Sequence, residues 1–191
     1  MPFFKGFFPG LRINRDQILG SQYNIGVINH GEHQLLADKL ETLMKKLAEE
    51  IAQNLECHEL ISNLQYYHKK LIVDDVIGLE AKLRHTGRSA QIDEALMQKE
   101  EFVKLLEKYS LFQSAQKIFA HCLSMAHHEF RHFVHPHVDV MNTQQIDQIV
   151  TTRIVEPLVR ECTDGEFFID HNIAMGLIYW LAEQCYVRWH K

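Results

Sequence analysis

The sequence has few prolines, no CxxC pair among its four cysteines and no apolar run long enough to cross a membrane. Its longest apolar stretch, residues 173–182, is far shorter than the ~20 residues that a membrane-spanning helix needs. The cysteines form no CxxC pair, which favours reduced thiols over a metal-binding or disulfide framework. They are Cys57, Cys122, Cys162 and Cys185. These absences predict a cytoplasmic protein that does not span a membrane.

The charged residues form no basic block, and acidic residues outnumber basic ones. The formal net charge is −5, whereas a surface that coats nucleic acid or binds an anionic membrane needs clustered Lys and Arg. The sequence also has no Gly-rich phosphate loop, no nucleophile elbow and no Ser/His/Asp arrangement. Its content of 46% hydrophobic and 24% charged residues is that of an ordinary globular protein. We therefore expect no direct binding to nucleic acid.

Residues 1–31 differ in composition from the rest of the chain, because they are rich in Gly, Asn and β-forming residues. Tyr23, Ile25 and Val27 alternate with polar or small residues, which predicts a short strand or hairpin. A single hairpin is marginally stable alone, so this segment should pair with the body of the protein or with a second copy of itself. Pairing with a second copy would make the protein a homo-oligomer.

From residue 32 onward the apolar period is helical. One face of the first helix is marked by Leu36, Leu40, Leu43, Leu47 and Ile51. Further along the chain, Pro136 should end a long helix and Pro157 should kink or divide another. Asp170 is a suitable cap for the last helix, which is the most apolar and should be the buried centre. We therefore predict an all-α fold, a multi-helix bundle over residues 32–191 that follows the N-terminal β segment.

The most unusual feature of the sequence is a cluster of histidines on one long helix. Its members are His121, His127, His128, His132, His135 and His137. Among them, His128, Glu129 and His132 match the H-E-x-x-H motif. On a helix this spacing places two imidazoles one turn apart, where both can bind one Zn²⁺, with the Glu beside them to activate water. The motif therefore indicates a zinc site, with His128 and His132 as ligands and Glu129 as the catalytic group of a zinc-dependent hydrolase.

The phase of the helix favours a different interpretation of the cluster. At ~100° per residue, His121, His128, His132 and His135 fall within an arc of about 60°, and the apolar stripe is centred about 150° away. That stripe consists of Ala115, Cys122, Leu123, Ala126, Phe130 and Phe133. The extended zincin pattern would place a third histidine at position 138, which is Val138. Other ligands that the sequence offers are His137, Asp139, Glu156, Glu161 and Glu166. An exposed or interfacial histidine surface is thus the first interpretation, and a metal site is the alternative.

From about Tyr66 to the C-terminus the chain carries a series of short apolar motifs. They are IGLEAKL (77–83), KEEF (99–102), LLEKYS (105–110), SAQKIF (114–119), IVEP (154–157), GLIYWL (176–181) and CYVRW (185–189). In these motifs the chain resembles the C-terminal domains of the ABC-three-component (Lamassu-like) bacterial anti-phage defence systems. The resemblance covers about two-thirds of the chain.

The resemblance implies a helical module that couples an effector to an SMC-like ATPase. The chain would then be a scaffold or docking subunit of a defence complex, rather than a catalyst, with an SMC-like ATPase or a nuclease effector as its partner. It would need no cofactor. The zinc-dependent hydrolase, with Zn²⁺ at the H-E-x-x-H motif, stays the alternative function.

Overall fold

The computed structural model describes three stretches of the chain, residues 39–71, 76–162 and 167–191. The chain divides into two compact units, Met1–Lys39 and Leu40–Lys191. All the described residues except the first belong to the second unit. The strand or hairpin predicted within residues 1–31 lies outside the described residues and stays a prediction.

Every regular element in these three stretches is helical and none is a strand, which confirms the all-α prediction for this part of the chain. The helices are α1 (39–52), α2 (Ser62–His68), α3 (Leu79–His85), α4 (Ile92–Tyr109), α5 (Gln113–Glu129), α6 (Thr143–Val150), α7 (Glu156–Glu161) and α8 (His171–Glu183). A 3₁₀ turn over Ser89–Gln91 precedes α4. A π turn over Phe130–Val134 and a 3₁₀ turn over His135–His137 extend α5, and a π turn over Thr151–Val155 joins α6 to α7.

Helix α8 is the buried centre of the helical unit, as its nearly continuous apolar sequence predicts. Residues 176–182 are all buried, and α4 makes the most extensive contact with them. Phe102 of α4 is fully buried, and its ring centroid lies 5.9 Å from that of Trp180 and 6.0 Å from that of Phe119 on α5. Burial of an aromatic side chain stabilises the fold by roughly 1.5–3 kcal/mol. Helices α4, α5 and α8 therefore share one aromatic core.

A glycine allows α4 and α8 to approach each other closely. A Cβ atom at Gly176 would lie 2.1 Å from the backbone oxygen of Gln98 and 2.7 Å from its carbonyl carbon. These distances are well inside van der Waals contact, and the atoms that would clash belong to the backbone of α4. Only a residue without a side chain permits this crossing.

Polar groups at the end of α8 hold α3 in place. Lys82 of α3 is fully buried, and its Nζ donates to the Ala182 carbonyl at 2.6 Å. In return, the Glu183 carboxylate accepts a hydrogen bond from the Leu79 N–H at 2.9 Å, at the start of α3. Each helix thus supplies a charge of the favourable sign to an end of the other, since helix N-termini attract anions and C-termini attract cations.

The helix ends agree with the sequence in two places. The Asp170 carboxylate accepts a hydrogen bond from the Ile173 N–H at 2.8 Å, so the predicted cap of α8 is confirmed. Pro157 does divide a helix, because the π turn that ends at Val155 separates α6 from α7. The cap of α6 is Asn142, which forms a capping box with Gln145.

Two polar side chains attach the segment before α3 to α5. The Glu50 carboxylate accepts hydrogen bonds from the N–H and the hydroxyl of Ser114, at 3.0 and 2.8 Å, and so caps the start of α5. Gln116 is fully buried, donates to the Glu59 carbonyl at 3.1 Å and accepts from the Ile61 N–H at 2.8 Å. Helices α1 and α2 are therefore tied to the core by side chains that satisfy backbone groups.

We predict that Gly176→Ala destabilises the protein by about 3 kcal/mol or more, because the added methyl group overpacks the α4–α8 crossing. In an unconstrained helix the same change stabilises by about 1 kcal/mol, so the sign of the effect is diagnostic. Urea denaturation of the variant and the wild type, followed by circular dichroism, measures the difference. A variant as stable as the wild type would contradict the close approach of the two helices.

Candidate functional site

The histidine-rich segment, residues 121–137, lies on α5 and its extension. From Phe130 the helix widens into a π turn, and the His135 N–H donates to the Phe130 carbonyl five residues earlier. In the wider π turn each residue advances through a smaller angle around the helix axis. The next buried position after Phe130 is therefore Val134, whereas Phe133 is 38% exposed. The predicted apolar stripe is therefore confirmed up to Phe130, and its continuation to Phe133 is wrong.

The histidines of the predicted single face differ in their exposure. His128 and His132 are exposed, as expected. His121 is half-buried, with its Nε2 3.5 Å from Glu161 Oε2 on α7. His135 is also half-buried, because the π turn directs it toward residues 184–191, the C-terminal segment, where its Nε2 lies 3.2 Å from the His190 carbonyl oxygen. The exposed surface is thus the H-E-x-x-H pair rather than the whole row.

The side chains of the H-E-x-x-H motif lie next to each other. The ring centroids of His128 and His132 are 4.5 Å apart, and Glu129 Oε1 is 3.4 Å from His128 Nδ1. Two imidazoles one helical turn apart can share a transition-metal ion, but catalytic Zn²⁺ sites use three protein ligands and an open position. The pair therefore provides part of a zinc site.

The additional carboxylate ligands that the sequence offered do not join this pair in the described stretches. Glu161 and Asp139 lie in other ion pairs, and Glu166 is outside the described residues. No group of three or more His, Cys, Asp or Glu side chains in residues 39–71, 76–162 and 167–191 is placed to hold a metal ion. Zn²⁺ binding at the motif, with Glu129 as the catalytic group, stays a prediction.

His127 belongs to a cluster of aromatic side chains. Its ring centroid lies 5.2 Å from that of Tyr186 and 6.0 Å from that of Tyr67, both in edge-on geometry. Burial lowers the pKa of His127 below its ordinary value, and neighbouring cationic side chains, Arg131 first among them, lower it further. The neutral imidazole is thus favoured at pH 7.

The Tyr186 hydroxyl fixes the C-terminal segment to the end of α2. It lies 2.5 Å from the Tyr66 carbonyl and 3.0 Å from the Lys69 carbonyl and donates to these backbone oxygens. Burial raises the pKa of Tyr186 to about 12, so the hydroxyl keeps its proton as a donor. The hydroxyl gives the Lys69 carbonyl a donor, and it gives the Tyr66 carbonyl a donor in addition to the Lys69 N–H.

A groove of about 420 Å³ lies where α2, the extension of α5 and the C-terminal segment meet. We call it the cationic groove, and its lining residues are Tyr66, Leu71, His127, Phe130, Arg131, His135, Cys185, Tyr186 and Arg188. None of these described lining residues is acidic. Burial lowers the pKa of His135, and Arg188 and Lys191 contribute to the decrease. The cationic side chains of the described lining are those of Arg131 and Arg188.

A second groove, of about 670 Å³, lies between α2 and α5. The residues that line this α2–α5 groove are Ile61, Ser62, Asn63, Tyr66, Tyr67, Lys117, Ala120, His121 and Ser124. Most of its wall is hydroxyl, amide and aromatic. Tyr66 lines both grooves and is 49% exposed. The two grooves are thus adjacent parts of one surface.

An ion pair between a buried arginine and a partly exposed aspartate holds the other end of the C-terminal segment. Arg88 is 6% exposed, and its Nη1 lies 2.6 Å from Asp147 Oδ1 on α6. The guanidinium carbon is 5.7 Å from the ring centroid of Trp189. The ion pair and the cation–π contact hold Trp189 in position. They therefore also position the preceding residue, Arg188, which lines the cationic groove.

The arginines of the cationic groove could not be identified from the sequence. Arg131 is the third residue after His128 in the H-E-x-x-H motif, where only the histidines and the glutamate have a chemical role. Arg188 lies in the CYVRW motif. A single cationic residue inside an apolar motif is the one signal that could have identified it. Their proximity depends on the packing of distant segments, which spacing does not show.

Comparison with known proteins supports one family. The chain matches no curated protein and no solved structure. Residues 78–189, from the start of α3 to the C-terminal segment, match the model of C-terminal domain 9 of the ABC-three component systems. Among the described residues, no helix combines the length and hydropathy needed to cross a membrane. The match covers more than half of the chain and confirms the predicted resemblance. The chain therefore belongs to the family of C-terminal domain 9 of the ABC-three component systems, which are anti-phage defence systems.

Proposed function

We propose that the chain is a cytoplasmic docking subunit that couples an effector to an SMC-like ATPase in an ABC-three component complex. The match of residues 78–189 to a domain of these systems carries the proposal. The matched region contains α4, α5 and α8, which form the aromatic core. A partner would therefore meet a stable helical body rather than a segment that must fold on binding.

The surface around Tyr66 supports a docking role. The two adjacent grooves offer hydroxyl, aromatic and cationic side chains, and exposed tyrosine and arginine are enriched in protein interfaces. Tyr66 is held by its neighbours, since its ring centroid lies 5.0 Å from that of Tyr67 and 5.3 Å from that of Tyr186. A rigid aromatic side chain loses little conformational entropy when a partner covers it.

We expect the chain, expressed with the neighbouring genes of its native host, to co-purify with an SMC-like ATPase or a nuclease effector. The physical reason is that a docking subunit binds its partner stably enough to survive purification. Size-exclusion chromatography with mass spectrometry measures the composition and stoichiometry of the complex. An unrelated tagged protein from the same host is the control, and recovery of the chain only as a free monomer would overturn the proposal.

The zinc-dependent hydrolase is the second candidate, because the His128 and His132 rings lie 4.5 Å apart on an exposed surface. A zinc ion on two imidazoles alone is held weakly, since catalytic sites add a third protein ligand. Glu129 lies beside His128 and would act on the bound water in this function. The two candidate functions therefore differ in how firmly the protein retains zinc.

We predict that protein purified without a histidine tag and dialysed retains about 0.1 Zn per chain or less, as expected for a two-ligand site. Elemental analysis by mass spectrometry measures the ratio, and the double variant His128→Ala/His132→Ala gives the background. A wild-type value near one zinc per chain, lost in the double variant, would favour the hydrolase instead.

A further inference from the structure

A pocket of about 230 Å³ lies where α4, the end of α6 and α8 meet. We call it the α4–α8 pocket, and its lining includes Glu94, Gln98, Asp147, Met175 and Tyr179. We propose that this pocket binds the guanidinium group of an arginine side chain from a partner protein. The inference deepens the docking function and rests on it for the identity of the partner.

The charge of the pocket is the first support. Its described lining contains two carboxylates, those of Glu94 and Asp147, and no Lys or Arg side chain. Arg88 lies beside the pocket and balances one of them, since its Nη1 is 2.6 Å from Asp147 Oδ1. Glu94, in the first turn of α4, forms no ion pair with any described residue. One carboxylate of the lining is therefore left for a cation.

Two polar side chains with spare acceptor atoms are the second support. Tyr179 is 7% exposed, and its hydroxyl has no hydrogen-bond partner within the described stretches. Gln98 is 9% exposed and donates its Nε2 to Glu94 Oε1 at 3.4 Å and to Asn172 Oδ1 at 3.1 Å. These bonds leave the carbonyl oxygen of Gln98 as an acceptor. Buried polar groups normally have partners, so the two side chains indicate a ligand that is rich in donors.

The Tyr179 hydroxyl can act together with the carboxylates of the pocket. Burial raises the pKa of Tyr179 to about 12; Arg88 opposes the rise, and Asp147 and Glu94 add to it. The hydroxyl is thus within electrostatic range of both carboxylates and keeps its proton at neutral pH. Its oxygen can accept from a guanidinium N–H while its proton is donated to a carboxylate.

The size and chemistry of the pocket favour an arginine over other cations. A volume of about 230 Å³ is below the roughly 300–1,000 Å³ of small-molecule sites and suits one long side chain. A guanidinium offers more N–H donors, in a fixed plane, than an ammonium does. Met175 is partly exposed in the lining and can contact the apolar stem of the arginine. The described residues place no set of three metal ligands here or elsewhere.

The test uses the ¹⁵N-labelled full-length chain and Nα-acetyl-arginine amide as the probe, with NMR chemical shifts as the readout. Saturable shifts should appear at the backbone amides of residues 94–98, 147–151 and 175–179, which border the pocket. A single side chain should bind weakly, in the millimolar range. At the same ionic strength, Nα-acetyl-lysine amide should bind about threefold less tightly or worse, because its ammonium has fewer donors.

Glu94→Gln should weaken binding of the arginine probe about threefold or more, because it removes the unpaired carboxylate and keeps the shape of the side chain. Tyr179→Phe should weaken it about twofold or more, because it removes only the hydroxyl. The matched control is Asp93→Asn, which removes the neighbouring carboxylate in the same first turn of α4, outside the pocket. It should change the affinity by less than about 1.5-fold, since its charge acts only through a screened field. Circular dichroism should show that all three variants fold.

Three results would overturn the inference. The first is the absence of saturable shifts around the pocket in the wild-type chain. The second is equal weakening by Glu94→Gln and Asp93→Asn, because binding would then follow net charge rather than the pocket. The third is equal affinity for the lysine and arginine probes, because the pocket would then not select a guanidinium.

The NMR experiment is independent of the co-purification experiment. If no partner co-purifies, the docking function fails even when the pocket binds the arginine probe. If the partner co-purifies but the probe does not bind, the pocket inference alone fails. When both succeed, Glu94→Gln should also reduce recovery of the partner, and Asp93→Asn should leave it unchanged.

Discussion

The close crossing of α4 and α8 at Gly176 is the constraint on which the described structure depends. Because the backbone of Gln98 lies where a side chain of residue 176 would be, the two helices pack at a short distance along an almost wholly apolar α8. This packing places Phe102 against aromatic rings of both α5 and α8. The positions of α3 and α5 follow from this pair, since each packs on one of its members.

Polar side chains then determine how the outer segments attach to this core. Lys82 and Glu183 exchange helix-end interactions between α3 and α8. Glu50 and Gln116 satisfy backbone groups between α5 and the segment that contains α1 and α2. Each of these bonds joins residues more than fifty positions apart in the chain. They specify the placement of the outer helices more than they add stability, because a hydrogen bond contributes a net of only about 1 kcal/mol.

The candidate docking surface results from these attachments. Helix α2, the extension of α5 and the C-terminal segment meet because Tyr186 bonds to the end of α2 and Arg88 holds the segment on α6. The cationic groove lies at this meeting point, in a protein whose net charge is negative.

The sequence predicted the helical class, the buried centre, the Asp170 cap, the division at Pro157 and the family, because these depend on local periodicity, short caps and a series of short motifs. It also identified the H-E-x-x-H pair, because His128 and His132 are one helical turn apart in the sequence. The tertiary structure decided the register after Phe130, since an ideal helical phase does not include a π turn. It alone brought Arg131 and Arg188 into one groove and matched Lys82 with its carbonyl, because contacts between distant segments depend on how the helices cross.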